Sequence, residues 1–298
     1  PYYYIFRADQ KDPGELSDLL SLLDEHGVEV YQINKSLVHD SRMIRKGDYA
    51  VPLAQPFRAF IKEVLEKQIF PERHYTPDGE LIRPYDITSW SLPLHRGLDC
   101  LEVNTSNSQI DGALSRVKFP LIFSIAVPEA ATSFLLPTQW NQSYGVVFLG
   151  LQKGFEISRV LDHGKGYKKG DFLVSLKGQS KEEISNLVST LTNRPTFLNA
   201  PFEGQTRSIS LPKIGLVETI FHDMDAGWTR YILDSYHVPF TVLKPADITE
   251  KKLSDFDVVI LPNSNKDLLL EAKRKGSGGT YSLPSYDPAL LKGMGKKG

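Results

Sequence analysis

Short apolar segments alternate with amphipathic helical segments along most of the chain. A strand is predicted at residues 2–6 and a helix at about 13–26, whose leucines recur at the spacing of one helical face. Strands follow at 28–33 and 47–53, and a second helix at about 56–67. Strands that alternate with helices are typical of a parallel sheet covered by helices. The sequence therefore predicts an α/β fold with mostly parallel sheets flanked by helices, built from two or three related Rossmann-like or flavodoxin-like units.

Part of this order recurs later in the chain. Residues 27–30 (GVEV) line up with 154–157 (GFEI), and residues 46–49 (KGDY) with 169–172 (KGDF). Each match falls at the same place in the order of strands and helices, so the sequence predicts an internal repeat. The less specific explanation is that α/β proteins reuse glycine at helix ends and before strands.

Three units are predicted from these patterns. Residues 1–128 form the first α/β unit, 129–210 the second and possible repeat of the first, and 211–298 a third unit that is truncated. Within the third unit, the basic and glycine-rich tail at 263–298 is predicted to be a mobile loop. Because the chain starts inside a strand at Pro1, without an initiator methionine or a signal segment, we expect a piece of a longer protein.

Charge and composition narrow the classes of partner. Lys plus Arg (35) nearly balance Asp plus Glu (36), so no overall field attracts nucleic acid or an anionic membrane. The longest uncharged stretch, residues 130–152, contains too many polar side chains for a membrane span. Cys100 is the single cysteine, which excludes an internal disulfide framework and a cysteine-rich zinc site.

Two motifs resemble binding sites but have simpler explanations. His26 and Glu29 have the His-x-x-Glu spacing that can bind zinc, yet Lys153 and Glu156 occupy the equivalent positions of the repeat. We therefore predict no metal ligands and interpret His26 as a helix-end residue. The glycines of the second motif precede a strand instead of linking a strand to a helix, so they indicate a turn and no dinucleotide site. These glycines are Gly164, Gly166 and Gly170.

Cys100, the single cysteine, is the one candidate for a catalytic thiol. It lies in a predicted strand at 98–103, whereas a catalytic thiol needs exposure at a sharp turn and a base within reach. His95 is near in sequence but belongs to the preceding helix. An inert core thiol is the favoured interpretation, and no catalytic or cofactor-binding residue is predicted in the chain.

One tentative ligand crevice is predicted in the third unit. Its residues follow the strand at 214–218, at the strand end where open α/β sheets usually bind ligands. They are His222, Asp225, Trp228 and Arg230. The alternative is a helix capped by Asp225 that docks through Trp228 and binds no ligand.

Several segments, in the same order, resemble the region downstream of the catalytic domain in large bacterial carboxypeptidase A-type zinc carboxypeptidases. The similarity spans most of the chain, and the downstream region itself resembles class I glutamine amidotransferase-like α/β domains. The segments that carry the resemblance are 49–58 (YAVPLAQPFR), 83–94 (RPYDITSWSLPL), 225–230 (DAGWTR) with 238–241 (VPFT), and 256–262 (FDVVILP).

The resemblance implies a secreted or periplasmic parent protein that hydrolyses C-terminal residues from peptides with zinc as a Lewis acid. Zinc and the catalytic residues are expected in an upstream peptidase domain before Pro1, which would be the partner of this chain, with peptide substrate as a further partner. The chain itself is expected to be an accessory α/β region without a catalytic centre. Two alternatives remain: a stand-alone module that binds a small molecule or peptide, and an amidotransferase-like enzyme that uses Cys100.

Overall fold

A computed structural model describes residues 1–69, 71–83, 90–121, 125–219, 224–248, 253–264, 266–271 and 292–295. Contacts within the chain define two compact units. The first comprises Pro1–Ala126, Gln139–Asn141 and Ser189–Arg194, and the second comprises Val127–Thr138, Gln142–Val188 and Pro195–Gly298.

The first unit contains a five-stranded sheet, here called the first sheet, in which every neighbouring pair is antiparallel. Its order is β6-β1-β5-β2-β7. The strands are β1 (Tyr3–Phe6), β2 (Tyr31–Ile33), β5 (Tyr49–Pro52), β6 (Cys100–Val103) and β7 (Leu114–Arg116). A separate hairpin pairs β3 (Leu37–His39) with β4 (Arg42–Ile44). The helices are α1 (Pro13–Glu25), α2 (Arg58–Leu65), α3 (Leu92–His95) and α4 (Ser108–Asp111).

Both faces of the first sheet are covered. All four residues of β1 are buried: Tyr4 and Phe6 pack with the leucines of α1 and with Ile61 of α2, while Tyr3 and Ile5 belong to a second cluster. That second cluster includes residues of the hairpin and of α4. Since successive side chains of a strand point to opposite faces, only a strand covered on both sides reads as a continuous apolar run.

The second unit begins with another five-stranded antiparallel sheet, the second sheet, of order β11-β8-β10-β9-β12. Its strands are β8 (Ser133–Leu136), β9 (Ile157–Val160), β10 (Phe172–Ser175), β11 (Thr196–Leu198) and β12 (Thr206–Ser208). Its helices are α5 (Asn141–Gln152) and α6 (Lys181–Val188). Read from their first strands, the two sheets have the same order. They also share register. Directly opposite residues across neighbouring strands of the first sheet are Phe6, Tyr49, Gln32 and Ser115. The equivalent residues of the second sheet are, in the same order, Leu136, Phe172, Arg159 and Arg207.

The same tight loop precedes β5 and β10. Asp48 accepts hydrogen bonds from the backbone N–H of Ala8 (3.0 Å) and of Arg45 (2.8 Å). Asp171 accepts from Thr138 (3.1 Å) and Lys168 (2.8 Å). Both carboxylates are buried, and each follows a glycine, Gly47 or Gly170, with φ of 99°. The KGD matches in the sequence therefore mark a loop whose glycine and aspartate have specific structural tasks.

The third sheet, also in the second unit, is parallel, with the order β14-β13-β15. Its strands are β13 (Ile214–Val217), β14 (Thr241–Leu243) and β15 (Val258–Ile260). They are accompanied by α7 (Met224–Ser235), a 3₁₀ turn (Pro245–Asp247) and α8 (Lys266–Glu271). None of the described helices is both long enough and apolar enough to cross a lipid bilayer.

The fold is thus mixed, with helices and both antiparallel and parallel sheets. The prediction of mostly parallel, Rossmann-like sheets is wrong for the first two sheets and holds for the strand direction of the third. The error has a physical cause, since strands buried on both faces produce the apolar runs that usually indicate parallel pairing. The tail predicted as a mobile loop contains α8, and most of its other residues lie outside the described ranges.

Candidate functional site

A cluster of charged side chains lies at the carboxyl edge of the third sheet. Glu218 follows β13 and Lys244 follows β14, so the parallel direction of these strands places both residues at one edge. The Glu218 carboxylate lies 3.3 Å from Arg230 Nη1 and 3.4 Å from Lys244 Nζ. Next to it, Thr219 is only 6% exposed, and its hydroxyl has no hydrogen-bond partner among the described residues. Arg230 and Lys244 thus share one carboxylate, and a second carboxylate, that of Asp247, accepts from the Lys244 backbone N–H at 3.1 Å.

Helix α7 carries apolar residues on its outer face. Ala226 is buried, whereas the opposite side has large exposed side chains at spacings of three and four residues. Their exposed fractions are 74% for Met224, 63% for Trp228, 61% for Tyr231 and 52% for Ile232. The Trp228 and Tyr231 rings meet edge to face at 5.9 Å. We call these four residues the outer face of α7.

The structure separates the members of the predicted ligand crevice. Arg230 reaches the Glu218 cluster, but Trp228 belongs to the outer face, because two residues turn an α-helix by about 200°. Asp225 is exposed in the first turn of α7, where a carboxylate complements the helix dipole. His222 lies outside the described residues. Of the three described members, only Arg230 contacts a charged neighbour at the sheet edge.

His26 and Glu29 each have partners of their own. His26 follows the last residue of α1, its Nδ1 lies 2.8 Å from the Leu22 carbonyl oxygen, and its ring stacks on Phe60. The Glu29 carboxylate accepts from the Tyr31 hydroxyl (2.6 Å) and pairs with Arg116 (2.5 Å). These two contacts hold the pKa of Glu29 below its ordinary value. Within the described ranges, no group of three or more His, Cys, Asp or Glu could hold a metal ion.

Cys100 begins β6 and packs against the core of the first sheet. Burial, followed by the negative charges of Glu102 and Asp99, raises the pKa of its thiol. A nucleophilic cysteine requires the opposite shift, because the thiolate is the reactive form. The environment thus favours the protonated thiol of a core residue.

The remaining predicted motifs lie in loops. Gly166 and Gly170 adopt positive φ in the turn between β9 and β10, and a bridge joins Gly164 to Tyr167, in agreement with a turn. Of the segment 83–94, Trp90 is partly exposed and residues 84–89 lie outside the described ranges.

Sequence reasoning missed a pair of arginines on the second sheet. Arg159 of β9 and Arg207 of β12 are directly opposite each other, and the Arg159 guanidinium carbon lies 4.4 Å from the centre of the Phe172 ring. Tyr144 of α5 contacts the same ring edge to face at 5.6 Å. The two arginines are far apart in sequence, so only the strand register brings them together.

The chain was compared with protein-family models, curated proteins and solved structures, and it matches none of them.

Proposed function

We propose that this chain is an accessory region of a bacterial carboxypeptidase A-type zinc carboxypeptidase, which acts in the periplasm or outside the cell. The ordered resemblance of segments in the first unit and around the third sheet supports this proposal. In the proposal, zinc and the catalytic groups belong to a peptidase domain upstream of Pro1, and this chain supports that domain or shapes access to it.

The outer face of α7 is the observation that carries the accessory role. A helix with apolar residues on opposite sides is typical of a helix that is covered on both sides, yet here one side is exposed. Asp225 and Asp234 are the exposed charged residues nearest to this face along α7. Charge complementarity therefore favours an apolar partner surface rimmed by Lys and Arg, which we assign to the upstream peptidase domain.

The parallel third sheet supports the likeness of residues 211–298 to class I glutamine amidotransferase-like domains. This is a likeness of fold, and fold alone implies no activity. The raised pKa of Cys100 also speaks against glutaminase chemistry at that residue.

A peptidase assay tests where catalysis occurs. The purified chain, with added zinc, is incubated with peptides blocked at the amino terminus, and free C-terminal amino acids are measured by mass spectrometry. We expect no release above a buffer control. Release that a chelator abolishes and zinc restores would place a catalytic centre in this chain and would contradict the proposal.

The coding sequence upstream of Pro1 provides the positive test. We expect a His-x-x-Glu pair followed, a hundred or more residues later, by a third histidine ligand. If such a domain is present, co-expression with the chain should give a stable complex. Trp228→Ser combined with Ile232→Ser should weaken that complex, whereas Val38→Ser, an exposed apolar residue of the β3–β4 hairpin, should not.

A second candidate function, binding of a small anionic ligand, is favoured by the Glu218 cluster. Arg230 and Lys244 converge on Glu218 there, and the hydroxyl of the adjacent Thr219 has no hydrogen-bond partner among the described residues. Thermal-shift measurements with short peptides, sugars and nucleotides would identify a ligand. This candidate requires that Arg230→Ala lowers the affinity, and an unchanged affinity would eliminate the cluster as the site.

A further inference from the structure

The second sheet ends in a strand with an open outer edge. The backbone bonds Leu161 N–H to Gln205 C=O (2.8 Å) and Ile209 N–H to Ile157 C=O (3.0 Å) flank the pair of Arg159 with Arg207. In an antiparallel ladder the bonded pairs alternate, so Arg207 directs its backbone groups toward β9, and Thr206 and Ser208 direct theirs outward. No described residue bonds to these outward groups, and all three residues of β12 are exposed.

Two arginines of like charge lie side by side at this edge. Directly opposite like charges destabilise an antiparallel pair. Neither Arg159 nor Arg207 has a carboxylate within ion-pair distance in the part of the chain that the structure describes. The described residues therefore do not neutralise this pair.

The first sheet shows that the fold does not need these arginines. In the first sheet, Gln32 occupies the position equivalent to Arg159, and Ser115 occupies the position equivalent to Arg207. The arginine at the first sheet's own edge, Arg116, is neutralised by Glu29 within the same unit. Among the described residues, the edge cation is thus paired in the first sheet and left without a carboxylate partner at the equivalent edge of the second sheet.

The surroundings of Arg159 hold its guanidinium in place. It lies over the Phe172 ring, a cation–π contact that leaves the N–H groups at the rim free to donate. The loop that follows β9 adds further cations at Lys165, Lys168 and Lys169. Asp162 of the same loop directs Oδ2 to the backbone N–H of Gln205 at 3.1 Å. The two strands at this edge, β9 and β12, carry Arg159 and Arg207 as their charged residues and have no acidic residue.

We propose that the outer edge of β12 binds an extended acidic peptide segment as an added strand. The outward backbone groups of Thr206 and Ser208 would pair with the peptide backbone, and Arg207, with Arg159 behind it, would bind a glutamate or aspartate side chain across the strands. The cross-strand neighbours Arg159 and Arg207 would then be followed by the carboxylate of the bound peptide. This proposal is independent of the relationship to zinc carboxypeptidases.

Binding of a fluorescent peptide to the whole chain tests the proposal. The probe is a blocked peptide TVEVT, and fluorescence anisotropy at low salt measures its dissociation constant. The matched probe TVQVT has the same shape without the charge. We expect TVEVT to bind about three to ten times more tightly than TVQVT, and the difference to shrink as salt is added.

Variants test whether the preference for TVEVT arises at the outer edge of β12. Arg207→Gln should reduce the affinity for TVEVT to that for TVQVT, whereas Arg116→Gln, on the first sheet, should leave it unchanged. Arg207→Glu should reverse the preference and favour TVKVT over TVEVT. Circular dichroism verifies that each variant is folded, and the comparison of TVEVT with TVQVT on the unaltered chain needs no variant.

Several outcomes would overturn the proposal. These are no binding of TVEVT at millimolar concentration, equal affinities for TVEVT and TVQVT, and an affinity that Arg207→Gln does not change. A peptide methylated at every backbone nitrogen that binds as tightly as TVEVT would refute strand addition, because it cannot donate to the outer edge.

Discussion

The first and second sheets have one strand order and one register, but they differ in how their surfaces are completed. In the first sheet, a hairpin and α4 cover one face, and the edge cation is paired internally with Glu29. In the second sheet, the equivalent edge carries Arg159 and Arg207, which have no carboxylate partner among the described residues. The strand order and the register are thus common to both sheets, whereas the charges at the equivalent edges differ.

The shared loop aspartates provide the largest expected effect. Each buried carboxylate accepts two backbone N–H bonds, so Asp48→Ala and Asp171→Ala should each lower the free energy of unfolding by about 3 kcal/mol. Urea unfolding followed by circular dichroism measures the loss. The exposed Asp78→Ala serves as the control and should change little. A large loss for one aspartate and none for the other would break the equivalence of the two loops.

The glycines before these aspartates should show a smaller effect. Gly47 and Gly170 both have φ of 99°, which an L side chain adopts only with strain, so alanine at either position should cost about 1–2 kcal/mol. Apart from its two chain neighbours, no described residue has an atom within 4 Å of a methyl group added at Gly47, which leaves the backbone as the cause. Gly227→Ala, in α7 with open space around it, should instead stabilise by up to about 1 kcal/mol. A stabilising Gly47→Ala would contradict this reasoning.

Tyr3 gives the first sheet a dependence on alkaline pH that the second sheet lacks. Burial, together with the 2.5 Å hydrogen bond to Asp111, raises the pKa of Tyr3 to about 12, and the equivalent residue of the second sheet is Ser133. A raised pKa stabilises the folded state below pH 10, and this stabilisation is lost as the pH rises from about 10 to 12. Tyr3→Phe should cost about 1 kcal/mol at pH 8 and less at pH 11.

Unfolding in urea at the two pH values measures this difference. Tyr75→Phe, an exposed tyrosine of the same unit, is the matched control and should have the same small effect at both. An equal loss for Tyr3→Phe at pH 8 and pH 11 would show that ionisation of Tyr3 is not responsible.

The sequence predicted the elements better than their pairing. The helices at α1 and α2 follow from periodic apolar residues, and the GVEV and KGDY matches correspond to turns with glycine at positive φ before a buried strand or aspartate. Strand direction could not be predicted, because β1 and β13 both read as continuous apolar runs although one is antiparallel and the other parallel. Local composition records burial on both faces and does not record the direction of a neighbour.

The same limit explains the missed arginines. Arg159 and Arg207 become neighbours only through register, and each alone is an ordinary surface cation. Arg230 could be predicted at a strand end from its position after β13, whereas the placement of Trp228 on the far side of α7 depends on helix rotation relative to the sheet.

The open edge of β12 also has a consequence for solubility. Exposed strand edges invite aggregation, because one copy can template the next through backbone hydrogen bonds. Two copies that met at this edge would bring their guanidinium groups together, and the repulsion would keep them apart. The arginine pair would therefore oppose edge-to-edge association of two copies of this chain and would still allow an anionic strand to bind.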